Sequence, residues 1–402
     1  MSSSIITSIV EIRIDGEVHD ITPFIDQFTW TESMLAGGFS WSLRFRTGGW
    51  KAWDSIMMGQ DNPEFSFRVS SQEGEERTLS SEWRTGITDK SRAAFNASTR
   101  MLAEIKGADQ RLVLAQKART RAWNNMRASD VLQSIATEYG LSSDIAASAY
   151  SSVWVQARQD DWSFMRDLAL TSTVSGNRGD SYLWLDGSTL RYQAPTLTDM
   201  TERRYDVSVL EDRVEDFAFL YSGREVDRNG GATLRGIGFD FDTKRGLVFD
   251  MDPVAAATQP ALAPRVPRRM GDGLRVVPFA EDDLGVVSES TRSRWGRVAP
   301  RYLSVRLRAR PDPSLRPNKV ISIENSFGDL QQTPFMGRYV LLEVQHIVVG
   351  SLLTTSITGF RRESQVGDAQ PTDALATNTG TRDENQTAGS EGSSIRTAKV
   401  LS

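Results

Sequence analysis

The chain has 402 residues, 25% of them charged and 39% hydrophobic, with a formal net charge of −5 and no cysteine. That length predicts roughly two to four domains, and the modest apolar content leaves room for loop, tail or partner-facing surface. The acidic balance disfavours DNA or RNA as a held ligand, and the missing thiols exclude disulfides, thiolate metal sites and cysteine nucleophiles.

The N-terminus, "MSSSIITSIVEIRIDGEV", carries no basic region before an apolar core, so no signal peptide is expected. No window approaches the ~18–20 apolar residues of a membrane span, which predicts a soluble chain without a membrane anchor. Absence of cysteine suits maturation in a reducing cytoplasm.

The first hundred residues read mostly as strands. Val10, Ile12 and Ile14 keep period two up to a turn at Asp15-Gly16. Phe39, Trp41, Leu43 and Phe45 repeat that pattern, and "EFSFRVSS" and "TLSSEWRTGITD" follow. Trp50, Trp53, Ile56 and Met57 predict one short helix between them. In "TRMLAEIKGADQRLVLA", residues 107–109 break two strand-like runs.

Near residue 128 the period changes. In "ASDVLQSIATEYGL", Ser129 is the expected N-cap, and Val131, Leu132, Ile135, Ala136 and Tyr139 fall on one helical face. Gly140 stands where a left-handed residue ends a helix, with Leu141 placed for the contact that follows. "VQARQDDWSFMRDLAL" then runs from a short strand into a second helix. Asp160 or Asp161 is its N-cap, and Trp162, Met165, Leu168 and Ala169 form its apolar face. A hairpin turning at Asp186-Gly187 closes this mixed α/β stretch.

Strands return in "RVEDFAFLYSGREV" and in a hairpin around residues 243–246. Residues 252–280 hold five prolines and predict an extended excursion. A helix is expected over 288–299, followed by strands to residue 363. The divisions are therefore 1–107, a β-barrel or sandwich; 108–200, an inserted α/β unit; 201–363, a second β unit with the 252–280 excursion; and 364–402, a polar tail. The tail's composition does not fold alone, yet Ile395, Val400 and Leu401 return at its end, a segment suited to docking on a neighbouring chain.

Chemistry is sparse. His19 and His346 are the only histidines, far apart and without a nucleophile elbow or zinc spacing, so His346 in "LLEVQHIVV" reads as a strand residue with satisfied bonds. Asp240 and Asp242 alternate with phenylalanine as a half-exposed strand does and lack the rest of a calcium loop. "RGIGF" is no phosphate cradle. Two basic stretches, Lys117, Arg119 and Arg121 before Trp123, and Arg306, Arg308 and Arg310 on one strand face, read as solvated or partner-facing surface. No metal, cofactor or catalytic set is expected.

The order of pieces resembles the baseplate hub family of contractile-tailed phages, of the late control protein D type, related to the N-terminal part of type VI secretion spike proteins. The carrying residues are the "SDVLQSIATEYGL" helix, then Gln156, Asp160, Asp161, Phe164, Leu168 and Ala169, and the closing strands with Gly337, Tyr339, Val344 and His346. "AEIKGADQRLVLA" is similar to the strand pair closing the family's first barrel. The resemblance spans residues 5–363 and implies a mainly β fold with an α/β insertion. It also implies two tube-like β-barrels per chain forming a pseudo-six-fold homotrimer. The implied role is a non-enzymatic virion adapter, made in the host cytoplasm and placed in the tail baseplate. It would join the six-fold tail tube protein to the three-fold central spike protein, beside other baseplate proteins and the tape measure protein, with DNA passing but not held. The competing readings are a β-rich wall- or polysaccharide-binding or degrading tail protein, with tryptophans as ligand platforms, and a DNA-contacting protein using the arginines.

Overall fold

Alternation of apolar and polar residues becomes strand structure in the order the sequence gives it. The first stretch forms β1 (Ile6–Ile14), β2 (Glu17–Asp20), β3 (Ile25–Ser33), β4 (Gly38–Phe45), β5 (Glu64–Glu73), β6 (Arg77–Ser80), β7 (Arg84–Phe95) and β8 (Met101–Ala108). The middle stretch forms α1 (Arg111–Leu114), β9 (Ala118–Arg127), α2 (Ala128–Glu138), β10 (Ser142–Ile145), β11 (Ser151–Asp160), α3 (Asp161–Thr171), β12 (Tyr182–Asp186) and β13 (Thr189–Gln193). Then come β14 (Thr201–Asp206), β15 (Asp216–Tyr221), β16 (Leu234–Asp240), β17 (Arg245–Met251), β18 (Arg275–Pro278) and β19 (Leu303–Ala309). The last are β20 (Val320–Glu324), β21 (Gly337–Val349), β22 (Leu352–Phe360) and β23 (Lys399–Leu401).

This computed structural model describes residues 6–14, 16–46, 64–73, 77–95, 101–148, 150–174, 181–195, 201–208, 214, 216–221, 234–240, 243–251, 275–278, 287, 291, 303–325, 336–360 and 399–401. The helix expected at Trp50–Met57 and Ile395 lie outside them. So do most of 252–280 and the helix over 288–299, for which only Thr291, donating from Oγ1 to Val287 O at 2.7 Å, is described.

One fourteen-stranded sheet dominates, in the order β15-β19-β22-β21-β3-β4-β8-β7-β5-β1-β2, with β6, β14 and β20 attached off this path. Its register shows why the pattern works. Trp30 opposes Trp41 and Phe28 opposes Leu43, so the buried side of β3 meets the buried side of β4. Phe39, Trp41, Leu43 and Phe45, expected on one face, are all buried. Strands from the first stretch and from residues 337–360 share this sheet, because β3 pairs antiparallel with β21, His346 opposite Trp30. The path is open, and no closed barrel forms among the described residues. β1 and β22 do approach, with Ser8 N–H donating to Ser351 C=O at 2.9 Å.

Three apolar clusters follow the chain: one over residues 10–105 joined by Val348 and Leu353, one over 114–192, and one over 205–357. A fourth takes Met34 from the first stretch, Tyr182 and Trp184 from the middle, and Val320, Val340, Leu342 and Phe360 from the last. It is the apolar half of a junction between them.

The middle unit departs from the sequence reading at two places. "RLVL" is a single helical turn rather than a strand: Asp109 Oδ1 accepts the Arg111 N–H at 3.1 Å, which starts the turn. α2 begins two residues early, with Arg127 rather than Ser129 at the N-cap position and no side-chain cap. β9 runs straight into it, and the N–H of Ser129 is satisfied instead by Ser148 Oγ at 3.1 Å. The C-terminus of α2 is as expected. Leu141 N–H donates to Ala136 O and Gly140 N–H to Thr137 O, with Gly140 at φ +65°, the paired bonds of a Schellman end.

Candidate interaction surfaces

The stretch 155–170 places two adjacent aspartates in different roles. Asp160 caps α3, its Oδ1 accepting the Ser163 N–H at 2.8 Å. Asp161 is fully buried. Its Oδ1 takes bonds from Arg121 Nη2 at 2.5 Å and Gln156 Nε2 at 2.9 Å, and its Oδ2 from Tyr139 OH at 2.6 Å. Arg119 Nε stands 3.3 Å from Oδ2. Burial pushes this carboxyl up, but the Tyr139 and Gln156 bonds and the charges of Arg121 and Arg119 outweigh it and hold it below its usual range. Glu138, at the end of α2, binds both guanidiniums at 2.7 Å. The expectation that Arg119 and Arg121 form solvated or partner-facing surface is therefore corrected. A buried carboxylate on the facing element draws them inward, because an unpaired charge there costs several kcal/mol. The acid is a structural hub of the α2–β9–α3 packing, with its lone pairs already occupied.

The junction has a charged half as well. Arg84, on β7, holds both oxygens of Glu32, on β3, at 3.0 and 3.1 Å, and both residues are buried. Arg84 also stands 3.7 Å from Glu82, which pairs with Arg316. The bond from Arg316 lowers the Glu82 carboxyl below its ordinary value against the opposing effect of burial. Arg316 lies 3.8 Å from Asp186, and Asp186 accepts from Arg191 at 3.0 Å. This line of charge runs from the first stretch, through the loop before β20, into the β12–β13 hairpin. Beside it, Asp109 accepts the Phe39 N–H at 2.7 Å, while Arg111 donates to the carbonyls of Ala36 and Phe39 at 2.5 Å. The β3–β4 turn is thereby pinned to α1.

Sequence reasoning did not single out these residues. A signal existed for one: Glu32 continues the inward series Phe28, Trp30, and a charge at an inward strand position requires a buried partner. Nothing local identifies Arg84 or Arg316 as that partner's line.

Arg306 is exposed and Arg308 and Arg310 are half-buried, alternating with buried Val305, Leu307 and Ala309. β19 is paired on both sides, by β15 and β22, so Arg306 and Arg308 stand on a sheet face and not at an edge, and Arg310 follows the strand's last residue. Val400 and Leu401 lie in β23, opposite Leu247 and Gly246 of β17. The structure thus separates the two groups of candidate contact residues onto different sheets. The most exposed apolar side chains among the described residues are Val153 and Val155 on the outer face of β11, 56% and 60% exposed, and Val349 and Leu352 beside the β21–β22 turn.

Among the described residues no cluster of histidine and acid side chains could hold a metal, and no helix is long and apolar enough to cross a membrane. His346 is buried, its ring stacked on Trp30 at 4.1 Å and its Nδ1 bonded to Thr355 Oγ1 at 3.1 Å. A cavity lined by Met34, Arg166, Ala169, Leu170 and Tyr182 holds about 60 Å³, well short of the roughly 300–1,000 Å³ of small-molecule sites.

No protein-family model matches the sequence, and no curated protein matches it. Solved structures do. A tail protein from Neisseria meningitidis MC58 superposes with a TM-score of 0.62 at 12% identity, over 91% of this chain and all of the other. The 43 kDa tail protein of prophage MuSo2 from Shewanella oneidensis gives 0.55 at 10% identity, over 90% of this chain and all of that one. The chain therefore has the fold of these solved tail proteins, in agreement with the baseplate hub resemblance carried by the helix–strand–helix unit at 128–170 and the closing strands.

Proposed function

We propose that the chain is a structural component of a phage tail, and within it the baseplate hub. The observation that carries this reading is the end-to-end superposition on a solved tail protein, which covers 91% of this chain. In this reading three copies assemble so that two tube-like β units from each make a pseudo-six-fold ring. The ring meets the six-fold tail tube protein on one side and the three-fold central spike protein on the other. Other baseplate proteins and the tape measure protein are neighbours, DNA passes through without being held, and the chain resides in the virion after synthesis in the host cytoplasm.

Several features support a load-transmitting adapter over an enzyme. The junction stitches three parts of the chain together with both an apolar cluster and a line of ion pairs, an arrangement that resists relative motion. The exposed valines of β11 and the β21–β22 turn offer apolar patches to neighbouring chains. The polysaccharide reading is weakened, because Trp30, Trp41, Trp154, Trp162 and Trp184, five of the ten tryptophans, are core residues and do not serve as sugar platforms. The test is molar mass in solution by light scattering, alone and with tail tube and spike proteins. A trimer that captures both partners is expected. A monomer that binds neither at high concentration rejects the proposal.

A further inference from the structure

The last described residues return to the body of the chain. β23 adds antiparallel to β17, with Lys399 opposite Val248, Val400 opposite Leu247 and Leu401 opposite Gly246. It joins a separate four-stranded sheet, β18-β16-β17-β23. Without β23, β17 is an edge strand whose free N–H and C=O groups are open to any extended segment, a liability that proteins cover. The covering strand is short and lies at the end of residues 361–398, which separate it from Phe360 at the close of β22.

We infer that β17 is the acceptor of an interchain clip: in the assembled protein the C-terminal strand of one copy adds to β17 of a neighbouring copy. The inference rests on the several-copy reading above. Residues 361–398 have a contour of roughly 130 Å at ~3.4 Å per residue, against a radius of gyration near ~20 Å for a folded chain of this length. A neighbour's acceptor therefore lies within reach. The ladder formed is the same in both arrangements, since the same residues meet in the same register. Only the tether distinguishes them, and its entropic cost rises only with the logarithm of its length. Where three acceptors stand within reach, self-pairing holds no decisive advantage, and exchange of an identical element between copies follows at low cost. Such a clip fastens copies to each other without adding any new surface to the folded body.

The chain lacks cysteine, so engineered thiols report without background. Two differently tagged chains, one carrying Leu247→Cys and the other Val400→Cys, are co-expressed, purified as the assembled protein and oxidised. A second pair, Val248→Cys with Lys399→Cys, samples the next register position, because alternate antiparallel pairs differ in Cα separation and buried Leu247 is the less tolerant site. The expected result is a reducible band joining the two tags in at least one pair. A chain carrying both cysteines of a pair measures pairing within one copy. Assemblies of the expected mass that crosslink only within chains, or do not crosslink at all, overturn the clip and leave the hub reading standing. A monomeric mass with no interchain band rejects both.

Discussion

Gly37, in the turn between β3 and β4, lies so close to Trp162 at the start of α3 that a Cβ on it would stand 2.5 Å from Trp162 Cζ2. Its φ of +83° is a conformation L side chains rarely adopt, and its carbonyl accepts the Leu185 N–H at 2.9 Å. A turn of the N-terminal stretch is thus built into the middle unit, and the tolerance there is less than one methyl group.

Gly37→Ala should consequently destabilise the protein by about 2–4 kcal/mol, combining the left-handed backbone cost with overpacking against the indole. Replacing the indole separates the two contributions. In a Trp162→Phe background the overpacking part should shrink while the backbone part stays. Urea denaturation of the four proteins measures both. A neutral Gly37→Ala would show that the contact between the two units is loose.

Asp161 carries a second expectation. Asp161→Ala removes the hub and leaves Arg119 and Arg121 without their buried partner, at a cost of about 3 kcal/mol; the arginines keep access to water, 35% and 21% of their side chains being exposed, which holds the value to the low end for broken buried pairs. The sign of the pH dependence follows from its lowered carboxyl. The stabilisation is complete above the unfolded value near 3.8 and is lost as pH falls through the lower folded value. The difference between wild type and Asp161→Ala should stay constant from pH 7 to pH 5 and narrow only in stronger acid. A difference that narrows already near pH 6 would assign the stabilisation to another group.

Local chemistry was legible in the sequence, and long-range pairing was not. Period-two runs located β1 and β4, the Gly140 ending located the end of α2, and the Asp160-Asp161 pair located the start of α3 without telling which acid caps it, because each depends on residues within a few positions. The same reading placed Arg119 and Arg121 on a surface, since their partner Asp161 lies some forty residues away and spacing alone does not bring it to them. Pairing of β3 with β21, and the line from Glu32 through Arg84 and Arg316 to Asp186, join residues from distant parts of the chain. Hydrophobic period assigns a face to each strand and leaves its neighbour open, so the fusion of first and last stretches into one sheet had no local signal.

Leu168 tests the core of the middle unit. It is 2% exposed and packs with Val131, Leu132, Ile135 and Trp162 in one cluster. Leu168→Ala should cost about 2–5 kcal/mol, the range for a cavity in a packed core. Leu170, on the same helix and 39% exposed, is the control, and Leu170→Ala should stay within about 0.5 kcal/mol of wild type. Melting temperatures report both. Equal effects at the two positions would mean that α3 presents a different face to the core.

His346 gives the chain a pH response below neutrality. Burial pushes its imidazole down to about 3, with the Arg84 charge acting in the same direction and the Leu315 backbone opposing. The folded protein therefore keeps this ring neutral, while the unfolded chain takes up a proton below its ordinary value of 6.5. Unfolded chains then bind more protons than folded ones, so stability falls as pH falls, by about 1.4 kcal/mol per unit between 6.5 and the folded value. Burial also raises the Asp109 carboxyl above its ordinary value, so the histidine part is read as the difference between wild type and a His346 variant, and between pH 6.5 and 5 it should reach about 2 kcal/mol. His346→Gln should be less stable than wild type at pH 7, since Trp30 loses its stacked partner, but should show a much flatter profile between pH 6.5 and 5. Urea midpoints at half-unit intervals compare the two. An unchanged slope in His346→Gln would show that the ring is not the group that titrates.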